Sequence, residues 1–255
     1  MDTPRIFPGT PNPQSDLDVA IGAAKAAFAT ATDVRAAAPL RPRAKSVAAD
    51  LVTDADAAAE AAAAEHLRRH RPDDAIEGEE GTNRPGRNAR RWLIDAVDGT
   101  VAFAAGIPSW CSAVVLTDEH GPVATAVYDG AQLHAAARHH RRRPPRPAKP
   151  LGEAHVAAFF RQDRLVLPGV RETARRLLDE AGLLRHAGPG TLELAWVADG
   201  RLDAWIQPAT DPWDWLPGAL LVTQAGGKAI TVQRQTRWHI AGPAALVEQL
   251  EALVV

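Results

Sequence analysis

Helical and extended periodicities alternate along this chain, and its strand-like apolar runs repeatedly finish in Asp or Glu. Together these features predict an α/β or α+β protein, in which ligand sites gather at strand ends. No internal repeat interrupts the alternation.

Residues 16–38 (DLDVAIGAAKAAFATATDVRAAA) are rich in helix formers and free of proline. Asp16 can cap this helix, Leu17, Ile21, Ala24 and Phe28 recur at near-helical spacing, and Pro39 and Pro42 end it. Residues 54–70 predict a second helix, opening with acids and closing with Arg68, Arg69 and His70, as the helix dipole favours. Asp56 and Glu60, four apart, share one of its faces. Residues 75–81 (AIEGEEG) read as a short strand running into an acidic turn, and 82–90 as a polar loop. Strands are expected at 91–97, 110–118 and 121–129, and near 131–137. Residues 138–150 (RHHRRRPPRPAKP) read as a solvated linker, the sharper alternative being an arm that attracts phosphate or a partner. His139 and His140 are taken as solvated loop residues. Beyond lie a strand at 154–160, helices at 169–182 and 190–199, and a strand at 202–207. A helix at 214–225, strands at 228–232 and 237–241 and a helix at 243–253 finish the chain. An N-terminal α+β half (1–140) thus carries most of the acids considered below, and a C-terminal half (151–255) carries Asp214.

The 255 residues provide for one large or two small domains, and 46% hydrophobic with 24% charged residues is an ordinary globular balance. A net charge of −2 gives no overall attraction to nucleic acid or acidic membrane. Cys111, the single cysteine, excludes an internal disulfide framework and a Cys-rich metal site, and no base at motif spacing marks it as a nucleophile. No apolar run approaches the roughly 20 residues that cross a bilayer. MDTPRIFPGTPNPQ lacks the basic and apolar regions of a signal peptide. The expectation is a cytoplasmic protein without membrane or nucleic-acid partners.

Glu79 in GEEG, Asp95 and Asp98 in IDAVDGT, and Asp214 in PWDWLPGALL each sit where an apolar strand ends or a helix begins. Clustered carboxylates repel one another and need a positive partner. Without Cys or an organised His set, the natural one is a hard, oxygen-seeking divalent cation, with Mg²⁺ first and Mn²⁺ as a substitute. The gap between Asp95 and Asp98 lets both carboxylates and the Val97 carbonyl face one point. Gly99 removes a Cβ that would keep phosphate from the backbone, and Thr100 adds a hydroxyl and starts a helix. Asp211 reads as a turn residue before a helix, placed to touch substrate. Trp196, Trp205, Trp213 and Trp215 read as core and interface filler.

These residues resemble the inositol monophosphatase family. Lys45 followed by Asp50-Leu51-Val52-Thr53-Asp54-Ala55-Asp56 and Glu60 is similar to its DLVTxxDxxxE segment, and Gly78-Glu79-Glu80 to its GEE turn. Trp92 to Thr100, with Phe103, is similar to WxIDPxDGT. Val197 to Ala204 is similar to VAxGRxDA. Pro212-Trp213-Asp214, with Gly218 and Ala225-Gly226-Gly227, is similar to PWDxxxGxxxxxEAGG. The resemblance implies a layered αβαβα sandwich of the inositol monophosphatase and fructose-1,6-bisphosphatase type, usually a homodimer. It implies Mg²⁺-dependent, often lithium-sensitive hydrolysis with two or three ions, held by Glu79, Asp95, the Val97 carbonyl, Asp98 and Asp214. By the same resemblance Asp56 and Thr100 help activate the attacking water, Glu80 lies behind the ligands, and phosphate rests on the Gly99 and Thr100 amides. Lys45 is either a surface residue or a charge partner for a second metal or phosphate.

Departures fall mainly on the substrate side. Ala96 replaces the usual proline, and Ala102 the usual Asn. Tyr128-Asp129-Gly130 and the Arg/Pro linker replace a Gly-rich hairpin. Gly188-Pro189-Gly190-Thr191-Leu192 replaces GSAAL, Gln207 replaces a substrate-binding Glu, and Gln224 the Glu before AGG. The substrate wall is then expected around Gly190, Gln207 and Asp211. The expected activity is hydrolysis of a small polyol or sugar phosphate, inositol phosphate first. Histidinol phosphate and 3′-phosphoadenosine 5′-phosphate are alternatives, as is a non-catalytic metal- or phosphate-binding regulator on the same fold.

Overall fold

The computed structural model describes residues 14–37, 39–40, 42–44 and 51–255. Lys45 and Asp50 lie outside the described residues.

Two long helices open the described chain, α1 (Asp16–Ala37) and α2 (Asp54–His70), flanking the two-residue strands β1 (Arg43–Ala44) and β2 (Leu51–Val52). Thr53 caps α2 within a reciprocal capping box whose other member is Asp56. Strands β3 (Ala75–Gly78), β4 (Asn83–Arg84), β5 (Arg91–Asp98), β6 (Cys111–Asp118), β7 (Gly121–Tyr128) and β8 (Leu133–Ala137) follow, with the one-turn helix α3 (Thr100–Ala104) after β5. They form a six-stranded sheet in the order β4-β3-β5-β6-β7-β8, in which only β3 and β5 run parallel.

The second sheet comes from β9 (His155–Ala157), β10 (Leu183–Arg185), β11 (Ala204–Pro208), β12 (Lys228–Gln233) and β13 (Arg237–Gly242), in the order β10-β9-β11-β13-β12. Its helices are α4 (Gln162–Leu165), α5 (Val170–Glu180), α6 (Gly190–Asp199), α7 (Pro212–Gln224) and α8 (Ala244–Leu253).

Among the described residues four apolar clusters separate five layers. Ala20, Ala24, Ala59 and Leu67 of α1 and α2 pack on Trp92, Ile94 and Val114 of the first sheet. Cys111, Ala113 and Val127 on its other face meet Leu192 and Ala195 of α6 and Leu220 and Leu221 of α7. The far sides of these helices, through Leu194, Trp215 and Val222, pack on Ala157, Trp205 and Ala241 of the second sheet. Val156, Ile206 and Ile240 on that sheet's outer face are covered by Leu177 of α5 and by Leu246 and Leu250 of α8. The result is the expected αβαβα sandwich. Because β5 lies between two helical layers, Trp92 to Val97 are all buried, which is why the strand reads as a continuous apolar run.

Some local expectations shift. The polar loop 82–90 contains β4, and α4 and β10 are additional elements too short to leave a periodic signature. The strand expected at 202–207 is β11 at Ala204–Pro208, and that expected at 154–160 is β9 at His155–Ala157. The basic segment 138–150 is exposed but anchored. Gln224 Nε2 donates to the Arg138 carbonyl (3.3 Å), the Arg143 amide to the Gln224 carbonyl (2.9 Å), the Arg146 guanidinium to the Val197 carbonyl, and Lys149 Nζ to Asp203 (2.8 Å). Among the described residues no helix is long and apolar enough to cross a membrane.

Candidate metal and phosphate site

Strand β3 ends beside the middle of its parallel neighbour β5, Gly78 opposite Ile94, so Glu79 just after β3 and Asp95 within β5 come together. Between the pairs Asp95–Ala113 and Asp98–Cys111, two residues of β5 oppose one residue of β6, which makes a β-bulge at Ala96-Val97. The bulge frees the Ala96 carbonyl from the ladder, and the Ser112 hydroxyl donates to it at 2.6 Å. Ala96 therefore keeps this turn without the family's proline.

Carboxylate oxygens of Glu79, Asp95 and Asp214 lie within 4.8 Å of one another. Asp214 reaches them from the first turn of α7, which starts with Pro212 at its N-terminus. Asp98 stands beside this trio, and its Oδ2 accepts the Thr191 amide at 2.8 Å. Burial, and then the neighbouring charges of Glu79, Asp98 and Asp214, push the Asp95 carboxyl well above the ordinary carboxylate range. Asp214 is raised by burial and by Asp98 and Glu79. The Asp95 and Asp214 carboxyls are close enough that, with no cation between them, ionising one disfavours ionising the other. Asp98 is pushed up to about 6, chiefly by burial. This set of hard oxygen donors, mutually repelling once ionised, fits a divalent cation.

Asp56, buried on α2, faces the same point. Its Oδ2 accepts from the Thr53 amide (2.9 Å) and hydroxyl (2.5 Å), leaving Oδ1 for the Thr100 hydroxyl at 2.9 Å. Thr100 Oγ1 also lies 3.1 Å from the Val97 carbonyl. Gly99 has φ +96°, and a Cβ there would lie 3.0 Å from the Ser109 carbonyl, so this position needs glycine.

The acidic turn rests on Glu60. Its buried carboxylate accepts the Glu80 amide at 2.6 Å and the Thr82 amide at 2.8 Å, and Gly78 packs directly against it. The substrate side is built differently. Gly190 is the first residue of α6, and a Cβ on it would lie 3.4 Å from Gln207 Oε1, so the two line one wall. Asp211 precedes α7 and is half exposed, with its carboxylate 3.7 Å from Arg164. Trp205 and Trp215 stack at 5.7 Å in the core, as expected of filler.

Two residues were missed. Thr191 donates its amide to Asp98 and its hydroxyl to the Asp214 carbonyl (3.0 Å), tying α6 to both acids. Glu193, fully buried, accepts the Gly188 amide (3.1 Å) and Arg185 Nε (3.0 Å), which fixes the turn that presents Thr191. Thr191 lay within the quoted GPGTL stretch, but only pairing across 93 residues reveals its bond to Asp98.

Comparison with known proteins agrees with this geometry. The profile of the inositol monophosphatase family matches residues 12–253. The inositol-1-monophosphatase of Rhizobium meliloti is 32% identical over 195 residues, covering 70% of this chain and 71% of that protein. The histidinol-phosphatase of Mycobacterium tuberculosis is 30% identical over 214 residues, covering 75% and 76%. Among solved structures, the extragenic suppressor protein suhB from Bartonella henselae superimposes with a TM-score of 0.80 at 27% identity, over 92% of this chain and 96% of that one.

Proposed function

Because the chain belongs to the inositol monophosphatase family and is a phosphoric monoester hydrolase, we propose that it hydrolyses a small polyol or sugar phosphate with Mg²⁺, by direct attack of water. The observation that carries this reading is the convergence of Glu79, Asp95 and Asp214 beside the Asp56–Thr100 pair. Glu79, Asp95, Asp98, Asp214 and the Val97 carbonyl are the groups that would hold the cations. When bound, such cations lower the pKa of a coordinated water and neutralise charge on the phosphoryl group.

The protein's own groups do the rest. A hydroxyl has one proton, so Thr100 donates either to Asp56 Oδ1 or to Val97 O. Donation to Asp56 leaves the Thr100 lone pairs free to orient a water, and the Asp56 carboxylate takes up the proton released in attack. The Gly99 and Thr100 amides support the phosphate. Glu80 keeps a supporting place in the turn held by Glu60. Gln207 and Gly190 form the wall that meets the alcohol half. An amide at Gln207 both donates and accepts, whereas a carboxylate there only accepts, so the preferred alcohol differs from one selected by Glu. Asp211 contributes at the rim through Arg164. We place the protein in the cytoplasm as a homodimer.

Retention of the Asp56–Thr100 pair favours turnover over a purely binding role, since cation binding alone has no need of it. Phosphate release measured with Mg²⁺ across a panel of phosphate monoesters tests the reading. Turnover of one or more polyol or sugar phosphates is expected, and its absence across the panel would leave only the binding role.

A further inference from the structure

Over the C-terminal ends of α6 and α7, against strand β8, lies a depression of about 510 Å³, a size suited to a small metabolite. Ten residues of α7 separate Asp214 from Gln224 on its wall, so it lies about 15 Å along the helix from the acid cluster. The basic segment 138–150 supplies its rim. Arg141 and Arg143 line it together with His140 and Arg201. The acid on its wall, Asp199, is already engaged by His134 Nδ1 at 3.2 Å. Arg201 donates to the neutral amide of Gln132 and so keeps its charge uncompensated.

Cations near helix C-termini commonly serve the terminal carbonyls. Here those carbonyls are met otherwise: Val197 by Arg146, and Gln224 by the Arg143 backbone amide. Among the described residues the Arg141 and Arg143 guanidinium groups have no ion-pair partner. Their backbone is nonetheless fixed. Gly226, at φ +87°, sits so close beneath the Arg143 and Pro144 carbonyls that a Cβ would collide with them. The floor adds a second sign of a ligand. His134 Nε2 and Gln224 Oε1 are buried without a hydrogen-bond partner, and both side chains are more than nine-tenths buried. Native buried polar atoms are nearly always satisfied. Gln224 Oε1 is an acceptor, and His134 Nε2 either donates or accepts according to the protonation of its ring.

We propose that this depression is a second binding site for a small organic phosphate, separate from the acid cluster. Its anionic group pairs with Arg141, Arg143 and Arg201, above the His134 and Gln224 side chains of the floor. Guanidinium forks match phosphate oxygens in pairs, and the volume of the depression is that of a small-molecule site.

The test is calorimetric titration of the full-length protein with inorganic pyrophosphate, with a chelator present to remove divalent cations. The wild type is compared with the Arg141→Ala/Arg143→Ala double variant and its Lys/Lys counterpart. Saturable binding by the wild type is expected, weakened about tenfold or more in the Ala variant, partly recovered with Lys, and declining with added salt. Metal-dependent phosphatase turnover should be the same in all three proteins, which separates this site from the acid cluster and controls for folding. No heat of binding up to roughly 10 mM pyrophosphate, or equal affinity in the Ala variant, overturns the proposal. So does tighter binding of a short single-stranded RNA through the same two arginines, which would make the surface a nucleic-acid contact.

Discussion

The Thr100 hydroxyl lies 2.9 Å from Asp56 Oδ1, joining the start of α3 to a helix 44 residues earlier in the chain. Asp56 Oδ2 is already occupied by Thr53, so Oδ1 is the oxygen left for proton transfer. Thr100→Ala and Asp56→Asn should each lower kcat by about 10²–10⁴-fold, with little change in cation affinity. Steady-state kinetics beside a thermal melt checks this. A variant that keeps wild-type kcat would remove the pair from the mechanism.

Gly78 and Glu60 make a packing prediction. A Cβ at position 78 would overlap the Glu60 carboxyl, which is buried and fixed by two amide donors. Gly78→Ala should therefore destabilise the protein by about 1–3 kcal/mol and displace the Glu79 turn. Urea unfolding measures the first effect, and a higher cation concentration for half-maximal activity reports the second.

Glu193 sets a pH dependence. Burial, opposed by Arg185, pushes its carboxyl from 4.5 up to about 7. The folded state therefore holds this proton more tightly than the unfolded chain. Its contribution to stability is complete below 4.5 and is lost as pH rises through about 7. Glu193→Gln cannot titrate, so its stability should fall less than the wild type's across that window. Parallel unfolding curves for the two proteins would contradict the assignment.

The acid cluster follows the same sign. Asp98 is raised from 3.8 to about 6, and Asp95 and Asp214 are raised as well. Without a divalent cation, stability should decline as pH rises through these values, because the unfolded acids ionise first. A cation competes with those protons, so Mg²⁺ should raise Tm clearly above the upper value and little near the lower one. Melting curves at both pH extremes, with and without Mg²⁺, decide this.

Much of this architecture is legible in the chain because its signals are local. The run WLIDAVDGT announces a buried strand ending in acids, and α1 and α2 follow from helix formers, end charges and prolines, although Ser15, not Asp16, caps α1 and Thr53 caps α2. The bulge at Ala96-Val97 is not local, since it depends on which β6 residues face Asp95 and Asp98. Thr191 and Glu193 escaped notice for the same reason: their roles arise from a turn pressed against another layer. The basic segment read as linker because composition records exposure but not anchoring, and its contacts with the α6 and α7 ends are tertiary. Three-residue β10 is too short for any periodicity to show.

Calorimetric titration of Mg²⁺ into the wild type and into Asp95→Asn tests the central arrangement most directly. Asp95 is flanked by both other members of the trio, so saturable uptake is expected in the wild type and should be weakened about 10²-fold in the variant, with turnover lost and the fold retained. No magnesium uptake by the wild type, or equal uptake by both proteins, would contradict it.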